Sequence, residues 1–89
     1  MYKHEHVEDP SQLLGPQKLR LSIQLGGRTP LGFYQYYYED LKYHKTQEDC
    51  FNHVNAIYFE IFGEERYLNY GGFLFMYNKN FKKLMSTKK

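Results

Sequence analysis

The stretch Thr46–Gly63 reads TQEDCFNHVNAIYFEIFG, and its reading decides the fold class. Thr46 has the chemistry of an N-cap, and Glu48 and Asp49 set negative charge against the positive end of a helix dipole. Phe51, Val54, Ile57, Tyr58, Ile61 and Phe62 recur at steps of three and four, so they share one wide face of a helix. Gly63 is placed to end that helix in a left-handed conformation.

Working toward the N-terminus, Thr29-Pro30 has the grammar of a second helix start, with Thr as cap and Pro at the first helical position. This helix is predicted from Pro30 to about Tyr43, with Tyr34, Tyr37, Tyr38 and Leu41 on one face and Phe33 and Tyr36 on its flanks. Before it, Gly26-Gly27-Arg28 is a break. Lys18–Leu25, KLRLSIQL, alternates Leu19, Leu21, Ile23 and Leu25 strictly, the period of a half-buried strand. The same residues also pair at i,i+4, which allows a short helix ending at Gly26. Alternation favours the strand, although a lone strand leaves its backbone groups unpaired. Residues 1–17, broken by Pro10, Gly15 and Pro16, read as a loosely held polar arm with one short turn capped by Ser11.

Toward the C-terminus, Glu64–Leu68 is a connector and Asn69 caps a third helix. Gly71 and Gly72 weaken its first turn and leave room for close approach to another backbone. Leu74, Tyr77, Phe81 and Leu84 follow on one face, with Lys79, Lys82 and Lys83 opposite. The expected fold is mostly α: a three-helix domain over residues 18–89, an arm over 1–17, and one element that is strand or short helix. Its core would hold Tyr37, Leu41, Phe51, Val54, Ile57, Tyr58, Ile61, Phe73, Tyr77 and Phe81.

The segment Asp49–Lys83 resembles short accessory proteins of Bacteroidetes phages and mobile elements. The likeness rests on Phe62-Gly63, Arg66-Tyr67 and Tyr70-x-x-Phe73: an aromatic helix, an FG-x-x-RY turn and a Y-x-x-F helix start. Anti-CRISPR inhibitors are one such class. The resemblance implies a protein acting against or beside nucleic-acid machinery, and it carries no catalytic residues to transfer.

Sixteen of the 17 aromatic residues lie between Phe33 and Phe81. A small core does not need that much ring area, so part of it is expected to face a partner. The expected anchors are Tyr34, Tyr36, Tyr38, Phe59 and Tyr67, and the expected function is a non-enzymatic binder. It would dock on a nucleic-acid-handling protein or ribonucleoprotein and block or modulate it. A symmetric dimer would use the same rings. The formal net charge of +2 argues against autonomous coating of DNA. The competing reading is direct DNA or RNA binding through the basic C-terminal helix, using Lys79, Lys82, Lys83 and Lys88 with neighbouring rings and amides.

Chemistry-bearing residues read mostly as structural. Tyr36-Tyr37-Tyr38 lacks the arginine cluster or metal that a nucleophilic tyrosine needs. Cys50, the single cysteine, excludes an internal disulfide and reads as a partly buried structural residue. Neither glycine pair makes a phosphate loop. His4-Glu5-His6 with Asp9 has two imidazoles at i,i+2 but no third ligand fixed in sequence. His44 and His53 would join them only through tertiary approach, so a solvated arm, no metal and no cofactor are expected. Glu39-Asp40 and Glu64-Glu65 read as solvated helix ends. With no apolar run near 18 residues and no leader-like N-terminus, no membrane contact is expected, and the reduced cysteine suits the cytoplasm.

Overall fold

Thr46 sits in extended backbone and its Oγ1 accepts from the Asp49 amide at 3.0 Å, starting the longest helix among the described residues. A computed structural model of the chain describes residues 4–26 and 29–82, the side chains of Phe81 and Lys82 excepted. Four α-helices are present among them: α1 (Gly15–Gln24), α2 (Pro30–Asp40), α3 (Gln47–Phe62) and α4 (Tyr70–Tyr77). The described residues form no strand.

The local signals explain most of the boundaries. Thr29 caps α2 through the Gly32 amide at 3.4 Å, with Pro30 at the first position. Asn69 caps α4 through the Gly72 amide at 2.7 Å. Gly63 closes α3 at φ 81° while its N–H bonds the Phe59 carbonyl. α2 tightens into a 3-10 turn at Leu41–Tyr43, and α4 continues as a π-helical turn over Asn78–Lys82.

Of the two readings open for Lys18–Leu25, strand or short helix, the structure takes the helix: the stretch is the body and C-cap of α1. Of its four alternating residues, Leu21 and Leu25 are fully buried, whereas Leu19 and Ile23 are 65% and 42% exposed. The alternation was two i,i+4 pairs: one pair faces the core and the other faces out. A helix also satisfies its own backbone, which an isolated strand cannot do.

α3 lies at the centre, packed against α1, α2, α4 and a short 3-10 turn at Pro10–Gln12. Phe73 of α4 is the hub of the core. Its ring lies 4.7 Å from Tyr37, 4.8 Å from Phe51, 5.2 Å from Tyr67 and 5.4 Å from Phe33, centroid to centroid. Tyr37, Phe51, Val54, Ile57, Tyr58, Phe73 and Tyr77 are buried as the sequence led us to expect, and Leu41 and Ile61 pack partly exposed at the margin. Phe81 lies outside the described side chains. Phe33, Tyr34, Tyr36, Leu21, Leu25 and Val7 join the core as well.

The close backbone approach falls at Gly32, not at Gly71-Gly72, whose positions are exposed. A Cβ on Gly32 would stand 2.0 Å from the Leu25 carbonyl oxygen, where α2 leaves the end of α1. That neighbour is backbone and cannot rotate away. Gly32→Ala is therefore expected to cost about 1–3 kcal/mol or more through overpacking. Gly71→Ala, whose Cβ would meet nothing closer than 3.6 Å, is expected to be neutral or mildly stabilising. Urea denaturation of both variants checks the contrast, and equal midpoints would contradict it.

Candidate functional site

Residues 4–9, in the stretch read as a solvated arm, are strapped across the helices. The Glu5 carboxylate accepts from Arg20 Nε at 3.0 Å, Arg20 Nη2 at 3.1 Å and Gln17 Nε2 at 3.1 Å, all on α1. Its amide donates to Gln24 Oε1 at 3.2 Å, and its carbonyl accepts from the Tyr36 hydroxyl of α2. Val7 is buried. Asp9 plays no part in a metal set: its Oδ1 caps the following turn by accepting from the Ser11 amide at 3.0 Å and the Ser11 hydroxyl at 2.7 Å. The cap is thus Asp9, not Ser11, because Pro10 occupies the first position of the turn.

That strap carries His4 and His6 onto Asp40. Asp40 was expected on a solvated helix end, yet it is fully buried. Its carboxylate accepts from His4 Nε2 at 2.8 Å and His6 Nδ1 at 2.9 Å on one oxygen, and from His44 Nε2 at 2.7 Å on the other. Burial pushes its carboxyl up, but the bonds from His6, His4 and His44 outweigh that and hold it below the ordinary carboxylate range. His53, in α3, completes the group. Its ring lies 4.9 Å from that of His44 and 5.5 Å from that of His6. Burial holds its pKa below the usual imidazole value, against a hydrogen bond to the Val7 backbone. His53 Nε2 is buried with no hydrogen-bond partner among the described residues. Tyr43 stacks on His6 at 3.9 Å and 12° and covers one side. All four histidines of the chain therefore converge on one carboxylate.

The expectation of no metal rested on a missing tertiary approach, and the fold supplies that approach. The sequence held only a partial signal. Asp40 and His44 share a helical spacing, but nothing in the pattern tied residues 4–6 to that turn. His6, Asp40, His44 and His53 each offer a ligand atom, all within 4.8 Å of one another.

A second feature lies between the start of α2 and α4. A mostly apolar groove of about 370 Å³ is lined by Pro30, Leu31, Tyr34, Tyr67 and Met76, with Arg66 and Asn80 as its polar members. The connector that builds one wall is pinned by the Asn55 side chain of α3, which donates to the Tyr67 carbonyl at 2.9 Å and accepts from the Arg66 amide at 2.9 Å. The Tyr67 hydroxyl donates to that of Tyr34 at 3.1 Å, and the Arg66 guanidinium lies 4.8 Å from the centre of the Tyr67 ring. Leu31 and Met76 are 53% and 38% exposed at its mouth.

The five expected anchors separate. Tyr34 and Tyr36 are buried and hydrogen-bonded through their hydroxyls, so neither is free to anchor a partner. Burial also drives the Tyr36 pKa far up. Tyr67 is half-buried in the groove wall, and Tyr38 and Phe59 are each about half exposed. Cys50 is wholly rather than partly buried, its Sγ donating to the Tyr37 carbonyl at 3.4 Å, and burial pushes its thiol up to about 12. Lys79 is exposed with its Nζ 5.9 Å from the Phe75 ring centre, while the Lys82 side chain, Lys83 and Lys88 lie outside the described residues. Among the described residues no helix is long and apolar enough to cross a bilayer. Compared with protein-family models, curated proteins and solved structures, the chain matches none.

Proposed function

We propose that this chain is a non-enzymatic binding module that captures a partner protein through the groove between α2 and α4. The observation that carries the reading is the set of apolar side chains left at the groove mouth while the core is already filled. Leu31 and Met76 stand more than a third exposed beside half-buried Tyr67. Apolar side chains around a concave surface with one arginine at the side have the make-up of an interface centre. A connector fixed by Asn55 keeps the surface preorganised, which lowers the ordering cost of binding. The class of partner rests on the resemblance to phage and mobile-element accessory proteins. It points to a nucleic-acid-handling protein or ribonucleoprotein that the chain blocks or modulates by occupying its surface.

The test is affinity capture with the wild-type chain beside a Leu31→Glu/Met76→Glu variant, both checked for unchanged helicity. Both side chains are substantially exposed, so the fold is expected to tolerate the changes. The expected result is a nucleic-acid-handling partner retained by the wild type and depleted at least about tenfold by the variant, in line with loss of a central apolar contact. Equal capture by both would contradict the groove. A gel shift with short nucleic acid that disappears between low and moderate salt would instead favour phosphate binding through the C-terminal lysines.

A further inference from the structure

We propose that His6, Asp40, His44 and His53 form a structural zinc site that fastens the N-terminal strap to α2 and α3. Three imidazoles and one carboxylate suit a borderline divalent transition ion. Magnesium and calcium ask for oxygen ligands, of which only Asp40 supplies any here. Four-coordinate zinc with bonds of about 2.0–2.2 Å sets its ligand atoms roughly 3.3 Å apart. The four ligand atoms already lie within 4.8 Å of one another, a spacing that side-chain rotation can close.

An independent observation points to the same occupant. His53 Nε2 is buried without a partner, although a buried polar atom left unpaired is costly. In the neutral tautomer that carries its proton on the other ring nitrogen, His53 Nε2 presents a lone pair that a metal ion can take. Metal ligands are usually steadied by an outer hydrogen bond. His4, which donates to Asp40 Oδ1, supplies that outer contact for the carboxylate. Four protein ligands leave no open position, so the ion's role is to hold structure.

This inference does not depend on the groove, because it is read on the isolated chain. The experiment uses untagged, metal-free protein titrated with zinc against a chromophoric chelator, and with cobalt(II) as a spectroscopic stand-in. The expected result is one zinc per chain with a dissociation constant below about 1 µM. Intense visible absorption of four-coordinate cobalt and a thermal midpoint raised by more than about 10 °C at saturating zinc are expected with it. His53→Gln and His44→Gln are expected to weaken zinc at least about 100-fold, and His4→Gln about 10–100-fold. Binding weaker than about 100 µM, a six-coordinate cobalt spectrum, or unchanged affinity in a folded His53→Gln would each overturn the site. If a variant does not fold, the wild-type cobalt spectrum and midpoint shift decide alone.

Discussion

Phe73→Ala is expected to destabilise the protein by about 3–5 kcal/mol, the usual cost of removing a fully buried phenylalanine ring. Phe73 has no solvent exposure and sits among Phe33, Tyr34, Tyr37, Phe51, Tyr67, Tyr70 and Tyr77. These rings come from α2, α3, the connector and α4, so the void would open where they all meet. The neighbours are themselves tied and cannot collapse into it freely. Tyr67 is held by the Asn55 bonds, and Tyr34 is hydrogen-bonded to Tyr67. For a domain of this size the total stability is roughly 5–10 kcal/mol, so the loss would be a large share of it. At about 4–8 °C per kcal/mol the thermal midpoint should fall by roughly 12–40 °C. Phe75→Ala, two residues along α4 on the other side of the helix and 65% exposed, is the control and should shift the midpoint little. Similar shifts in the two would contradict the assignment of Phe73 as hub.

The second large effect is expected at Asp40. Removing its carboxylate in Asp40→Ala leaves His4, His6 and His44 without their shared acceptor in a largely buried site. Breaking a buried network by deleting one member typically costs about 3–5 kcal/mol, because the remaining polar groups stay desolvated and unpaired. The effect should also be local in a telling way. Glu5 remains bonded to Arg20 and Gln17, so the strap should loosen at residues 4–7 without the helices separating. Asp40→Asn keeps one oxygen acceptor and should cost clearly less than alanine. Chemical denaturation of the metal-free variants measures both. An alanine variant within about 0.5 kcal/mol of wild type would mean that the network contributes nothing to the fold.

The helices were legible because their ends are written in local chemistry. Thr29-Pro30, Thr46 with Glu48 and Asp49, Gly63 and Asn69 each act through groups within a few residues, and each does so in the structure. Lys18–Leu25 stayed ambiguous because four alternating apolar residues satisfy both periods, and only the surroundings choose between them. The ring surplus was overestimated for a related reason. α2 buries Phe33, Tyr34, Tyr36 and Tyr37, using most of its circumference, since the strap covers the flank that a three-helix packing would leave open. Among the rings Tyr38, Tyr43, Phe59 and Phe75 remain exposed, and aliphatic side chains such as Leu14, Leu19, Leu31 and Leu68 face outward as well. The histidine–aspartate cluster was not legible. Its members come from residues 4–6, 40–44 and 53, and no spacing rule predicts that an N-terminal strap will meet a turn more than thirty residues away.

Whether the N-terminal strap is seated on Asp40 is tested most directly by histidine-ring NMR of the metal-free protein near neutral pH. Four separate imidazole signals are predicted, with a through-space contact between the His6 and Tyr43 rings, 3.9 Å apart, and a His53 Nε2 that makes no hydrogen bond. Coincident, solvent-like signals for His4 and His6 with no contact to Tyr43 would contradict that seating.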